Sequence, residues 1–339
     1  MDYSKLKLSY AGDNVNGGQQ PLAEPARVML YGKAKTRKTW WAGTAGATHN
    51  VTILDGENGT GILQQLPQSY LDNINRVPLA TDPDSCTMSI FLTLLFQKKT
   101  FLFSMENQRD IEMHYIRGGV GEEDEHKLFL ACDLSLLTSD DVLVFDSWTA
   151  IVKGVTRQFI IENKIDPFEG KLMEKGGNKY AYFAYSNLVL DNILEGLNKL
   201  PCHVILIAHE DRYNHEYKEG MLVKKETRLQ VLSSSGNQAS KIPGTVGDIL
   251  WCTHNSSLDK TILSAKPSNM RDGGARRVPP MDFEFPNWEW KDYAELAKLP
   301  AVNKLRGPTE RPPISLLTGA MVKELMEGPN NSSSNVING

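Results

Sequence analysis

The chain has 339 residues, 40% of them hydrophobic, which suits one large domain or two small ones with a sizeable core. Its 37 Lys and Arg against 41 Asp and Glu give a formal charge of −4, which excludes a histone-like polycation. Any nucleic-acid contact must therefore use a local patch rather than the whole surface.

Residues 1–25 are polar, rich in Gly, Asn and Gln, and punctuated by Pro21 and Pro25. They read as an N-terminal extension with no apolar leader segment. A strand is expected at Arg27–Tyr31, then a Gly/Lys/Thr loop and a helix from Thr39. A second strand, Asn50–Leu54, runs into Asp55-Gly56-Glu57. The stretch from about 80 to 140 has only coarse α/β character, with a helix expected around Ser89–Phe96 and an acidic loop at 121–125. The seven residues Ile90–Phe96 are the most apolar run, far below the roughly 18–20 residues of a membrane span.

Val142–Phe145 reads as a third strand, closed by Asp146-Ser147. From Tyr180 to Leu200, the spacing of Tyr185, Val189, Ile193, Leu197 and Leu200 predicts a helix with one buried face, stopped by Pro201. His203–Ala208 is a continuous apolar run, as expected of a central parallel strand. A hairpin signal comes next at Tyr217–Gly220, with a rough alternation over Met221–Leu232 behind it. Short strands are expected at Ile249–Cys252 and Thr261–Ala265. Prolines mark residues 281–312 as a linker region, Ile314–Met326 has the pattern of a short amphipathic helix, and the Asn/Ser-rich end reads as a disordered tail. The division is thus 1–25 extension, 26–280 core, 281–312 linker and 313–339 C-terminal helix and tail. Strands alternating with helices imply an α/β fold, a mostly parallel sheet with helices on both faces. Cys86, Cys132, Cys202 and Cys252 form no C-x-x-C pair, so neither a disulfide framework nor a zinc knuckle is indicated. The expected compartment is a reducing cytoplasm.

The first chemical signal is Gly32-Lys33-Ala34-Lys35-Thr36-Arg37-Lys38-Thr39, followed by Trp40. It has the length and position of a phosphate-binding loop, G-x-x-x-x-G-K-[S/T] between strand and helix. Backbone N–H groups of such a loop cradle phosphate, the lysine neutralises it, and the Thr hydroxyl ligates Mg²⁺. Arg37 stands where the second glycine belongs; its side chain either crowds the backbone approach or adds a phosphate contact. An acid at the end of another strand must anchor Mg²⁺, and Asp146 has that place. Glu57, at the end of the second strand, is the candidate base for the attacking water. His209, directly after the fourth strand, is the candidate γ-phosphate sensor. In an open parallel sheet the ligand site lies beyond the carboxyl ends of the strands, and all four signals fall there.

In order and content, VMLYGKAKTRKTW, VTILDGENG, DVLVFDSWTAIV, LPCHVILIAHE and SKIPGTVGDILWCT resemble the RecA-like P-loop ATPases, in particular their phage-type AAA-labelled group. The resemblance covers about residues 26–280. It implies a RecA-like core, ATP and Mg²⁺ as cofactors, and assembly into a ring or filament with ATP at subunit boundaries. It further implies action on single-stranded DNA in phage recombination, annealing or replication, in the host cytoplasm if phage-encoded and away from membranes, with a single-strand-binding protein as a further partner. A neighbour then supplies a positive side chain in trans. Lys266, Arg271, Arg276 and Arg277 are the candidates, as arginine finger or DNA contact, against the plainer alternative of a solvated basic loop. Lys224, Lys225 and Arg228, in an arm flanked by Tyr213 and Tyr217, are further DNA candidates. The alternatives are a non-catalytic nucleotide-binding or structural protein on the same fold, and a helicase- or packaging-type motor.

Overall fold

The computed structural model describes residues 24–79, 88, 91–93, 95, 100–105, 125–163, 176–217, 224–231, 242, 245–255, 260–267, 274–307 and 310–327. Most of the N-terminal extension, the tail beyond 327, residues 121–124 of the acidic loop, half of the expected helix 89–96 and Arg271 lie outside the described residues.

The centre is a run of parallel strands. β1 (Arg27–Gly32), β2 (Asn50–Asp55) and β3 (Ile74–Pro78) come first, and the short β4 (Thr100–Ser104) and β5 (Leu128–Asp133) are set apart. Next in the chain are β6 (Asp141–Asp146), β7 (His203–Tyr217), β8 (Lys224–Val231), β9 (Asp248–Asn255), β10 (Lys260–Ser264), β11 (Gly274–Ala275) and β12 (Asp282–Phe285). The main sheet has the order β12-β10-β9-β1-β7-β6-β2-β3, with β11 beside β9 and β8 beside β7. From β9 to β3 every pairing is parallel, while β10, β11, β12 and β8 are antiparallel additions.

The central strands are apolar on both faces because both faces are covered. Met29 and Tyr31 of β1, Leu143 and Phe145 of β6, and Val204, Leu206 and Ala208 of β7 face one core. Their neighbours Val28, Leu30, Val142, Val144, Ile205 and Ile207 face the other. On the first face lie α3 (Trp148–Glu162) and α4 (Gly176–Asn198), numbered after α1 (Lys38–Gly43) and α2 (Gln68–Leu71). They bury Trp148, Ile151, Val155, Leu190, Ile193 and Leu197. Each aliphatic side chain so buried contributes about 1.5–3 kcal/mol. Ser147 caps α3 by accepting from the Ala150 N–H (3.2 Å). The Arg27 guanidinium closes the end of α4, donating to the carbonyls of Asn198, Leu200 and Cys202. Among the described residues no helix is long and apolar enough to cross a membrane.

The mostly parallel α/β architecture agrees with the sequence reading, but two C-terminal stretches differ from it. Residues 281–312, expected to be a linker, carry β12 and α5 (Trp290–Leu296) and belong to the second core. Trp288, Trp290 and Tyr293 are fully buried there against Trp41 of α1. The Tyr293 hydroxyl donates to Asp248, and the Trp41 indole N–H donates to the Trp288 carbonyl. The strap beyond α5 is pinned as well. Asp140 accepts the N–H groups of Asn303 and Lys304, and Arg306 pairs with the nearly buried Asp141.

Ile314–Met326 is not one helix. Residues Ile314–Thr318 form β13, and Gly319–Glu327 form α6. β13 adds to β5 in a small antiparallel sheet of order β13-β5-β4. Its β-branched and apolar side chains alternate between the first core and a small cluster with Phe129, Ala131 and Val322. Cross-strand pairing therefore overrides the helical spacing. Glu125, the described end of the acidic loop, accepts from Lys323 of α6 (3.1 Å).

Candidate functional site

Sheet register brings the motifs together. Gly32 at the end of β1 lies opposite His209 on one side and Cys252 on the other. Asp55 at the end of β2 lies opposite Asp146 at the end of β6, and Asp146 lies opposite Ile207, two residues before His209. All four strand-end signals thus share one edge, the place where an open α/β sheet binds ligands.

The loop between β1 and α1 has the backbone of a phosphate cradle. Gly32 has φ +156°, and a Cβ there would sit 2.0 Å from the Cys252 carbonyl oxygen, so only glycine fits. Lys35 (φ 62°) and Arg37 (φ 61°) are both left-handed. Arg37 thus adopts the backbone that the missing glycine would supply, at a cost of about 1–2 kcal/mol. Arg37→Gly is therefore expected to raise the unfolding free energy by about 1 kcal/mol in urea denaturation, and Arg37→Ala, which keeps the Cβ, is not.

Lys33, Ala34 and Lys35 are exposed at the tip, while Thr36 and Lys38 are buried. The Lys38 ammonium donates to the carbonyls of Gly32 (3.0 Å) and Lys33 (2.6 Å) and to the Thr36 hydroxyl (3.2 Å). Burial lowers its pKa, opposed by the negative potential of Cys252, Asp146, Glu57 and Glu210. The Cys252 thiol donates to the Thr36 carbonyl (3.2 Å), and burial raises its pKa to about 11. Trp40 is half-buried and packs against the second core.

The two residues assigned to Mg²⁺ touch each other. The Thr39 hydroxyl donates to Asp146 Oδ2 at 2.6 Å. Burial raises the Asp146 pKa to about 6; the Thr39 bond opposes this, and the nearby Asp55 and Glu57 add to it. Hard oxygen donors and a carboxylate crowded by two others fit a divalent cation, whose charge would relieve that crowding. Among the described residues no cluster of three or more His, Cys, Asp or Glu forms a metal cage. Mg²⁺, which takes one or two carboxylates and shares phosphate oxygens, matches so sparse a donor set.

Glu57 and His209 also meet, Oε2 to Nε2 at 3.1 Å, across the same edge. Burial would raise the Glu57 pKa, but hydrogen bonds from His209 and Ser147 carry it below the usual glutamate value and keep it ionised. The His209 backbone N–H is held by the Thr149 hydroxyl (3.0 Å), and the next residue, Glu210, accepts from the Trp251 indole (3.0 Å). Asp55, which has no assigned role in the sequence reading, is fully buried beneath Glu57.

Beyond His209, β7 leaves the sheet and continues with β8 as a two-stranded ribbon, Glu210 opposite Val231 through Tyr217 opposite Lys224. In the register of the ribbon Tyr213 lies opposite Arg228, His215 opposite Glu226, Glu216 opposite Lys225 and Tyr217 opposite Lys224. The remaining basic candidates lie elsewhere. Lys266 pairs with Asp282 (2.7 Å), and the N–H groups of Arg276 and Arg277 donate to Asp248. Asp248 lies opposite Val28, toward the start of β1, so the backbone of Arg276 and Arg277 is anchored at the end of the sheet remote from the loop.

Comparison with known proteins agrees with this geometry. A protein family described as an AAA domain matches residues 24–277. No curated protein matches the chain. The chain belongs to the AAA domain family, a group of P-loop nucleotide-binding ATPases.

Proposed function

We propose that this protein hydrolyses ATP in response to single-stranded DNA and uses the cycle to promote strand pairing or annealing, as phage recombination or replication requires. One observation carries the reading: Lys38, the Thr39–Asp146 pair and the Glu57–His209 pair converge on the edge from which the β7–β8 ribbon departs. Lys38 and the loop N–H groups bind the phosphates. Thr39 and Asp146 would hold Mg²⁺, which when bound neutralises charge on the phosphate oxygens. Glu57, kept ionised by His209 and Ser147, orients water and accepts its proton. His209 lies close enough to Gly32 to respond to the terminal phosphate. The ribbon pairs Tyr213 with Arg228 and Tyr217 with Lys224 in register, and residues of these types suit stacking on bases and pairing with phosphates. Arg276 and Arg277, whose backbone is anchored away from their own loop, act on this reading with Lys266 toward DNA or a neighbouring subunit in a ring or filament. A single-strand-binding protein is the proposed further partner, in the cytoplasm where single-stranded DNA arises.

Lys38→Ala tests the nucleotide site. It removes charged hydrogen bonds worth about 1.5–3 kcal/mol, so ATP affinity should fall roughly 10–150-fold in a titration. Wild-type turnover should rise when single-stranded DNA is added. Unchanged ATP affinity in the variant overturns the site, and turnover indifferent to DNA overturns the partner. A second reading, nucleotide binding without turnover, draws on Arg37 at the glycine position of the loop. Turnover in the wild type that Glu57→Gln removes excludes it.

A further inference from the structure

Asp55 is a fully buried carboxylate beside the site, and nothing in the reaction described above uses it. Its five hydrogen bonds are the observation. Oδ1 accepts the backbone N–H groups of Glu57 (3.2 Å) and Gly59 (3.1 Å). Oδ2 accepts the Thr60 hydroxyl (2.7 Å) and two bonds from Arg76 of β3, Nε at 3.2 Å and Nη2 at 2.8 Å. Both ends of the turn that carries Glu57 are therefore tied to one carboxylate, and that carboxylate is neutralised by a guanidinium from the next strand.

The same turn is seated on the acid at the end of β6. The Gly56 N–H donates to the Asp146 carbonyl at 2.5 Å. A Cβ on Gly59 would lie 3.6 Å from Asp146 Oδ2. Moving the turn would displace Glu57 relative to Asp146 and His209. A fork with two bonds to one acceptor fixes direction as well as charge, which a point charge does not.

We propose that Asp55 and Arg76 are positioning residues that hold Glu57 in register with Asp146. The inference rests on the reading of Glu57 as the base. Removing Asp55 takes the acceptor away from the Glu57 and Gly59 N–H groups and the Thr60 hydroxyl and endangers folding, so the decisive variants are at Arg76, whose side chain is 46% exposed.

The experiment measures DNA-stimulated ATP turnover in the full chain for wild type, Arg76→Ala, Arg76→Lys, Glu57→Gln and the Arg76→Ala/Glu57→Gln double variant. Small misplacements of a catalytic group cost up to about 10²-fold, so Arg76→Ala should lower kcat roughly 10–100-fold with KM for ATP within about threefold. Arg76→Lys should recover part of the loss. The double variant should turn over no more slowly than Glu57→Gln alone, because the two residues act as a unit. Turnover of Arg76→Ala within about twofold of wild type, with Glu57→Gln inactive, overturns the clasp and leaves the base intact. An equal further loss in the double variant makes Arg76 merely structural and also overturns it. Full turnover by Glu57→Gln removes the base reading and this inference with it.

Discussion

Glu57→Gln is expected to bind ATP within about threefold of the wild type and to turn it over about 10²–10⁴-fold more slowly. The substitution keeps the size and planarity of the side chain and removes the charge that accepts a proton. Its neighbours predict the split between binding and turnover. The Lys38 ammonium bonds to the loop carbonyls and the Thr36 hydroxyl, Thr39 bonds to Asp146, and none of these hydrogen bonds involves Glu57. Glu57 contributes to that group only through space, as one of the negative charges around Lys38 and Asp146. Removing one carboxylate should therefore lower the Asp146 pKa from about 6 toward the ordinary range and leave the Thr39–Asp146 donor pair in place. ATP affinity by titration and single-turnover hydrolysis by quench are the paired measurements. A variant that loses affinity and turnover together would make Glu57 part of the binding site rather than the base.

Trp290→Ala is expected to cost about 3–5 kcal/mol, a large share of the roughly 5–15 kcal/mol that holds such a domain folded. Trp290 is fully buried, tilted against Tyr293 at 5.0 Å between ring centroids and edge-on to Trp41 at 5.8 Å. Its backbone N–H donates to Thr44 and its indole N–H to His49, so truncation leaves a void and removes the indole bond while the backbone bond stays. Burial holds that histidine near a pKa of about 4, so it packs as a neutral ring. A chain ending after residue 280 should do worse. It strips α5 from the second core and β13 from β5, uncovering Trp41, Phe129, Leu130 and Ala131. Urea unfolding monitored by near-ultraviolet circular dichroism reads both. A truncated chain that melts cooperatively within about 1 kcal/mol of the full one would show the segment to be an appendage after all.

The nucleotide edge was legible because each of its strands is a short buried apolar run with polar chemistry at its end. A strand covered on both faces leaves no alternation to misread, so Arg27–Tyr31, Val142–Phe145 and His203–Ala208 appear as blocks, and the polar residues at their carboxyl ends fall on one edge. Gly32 of the loop signature is required by the Cys252 carbonyl, 2.0 Å from where its Cβ would be. The pairing of Glu57 with His209 was not legible, because it depends on β7 lying beside β6 and β1 rather than on any spacing. Nor was the Asp55–Arg76 clasp, whose partners are neighbours only because β3 adds to β2.

The segment from residue 281 onward marks the boundary between the two sources of information. By itself the sequence determined a parallel α/β core and the order in which its chemical groups reach one edge, because local apolar runs and strand-end residues encode both. Only the tertiary structure decided that residues 281–327 belong to the domain. Trp290 and Tyr293 stand three residues apart in a helix of only seven residues, too short a repeat to read, and with Trp288 they are buried because α1 presents Trp41 to them. Ile314–Thr318 extends instead of coiling because an open strand edge at β5, far away in the chain, supplies its hydrogen bonds.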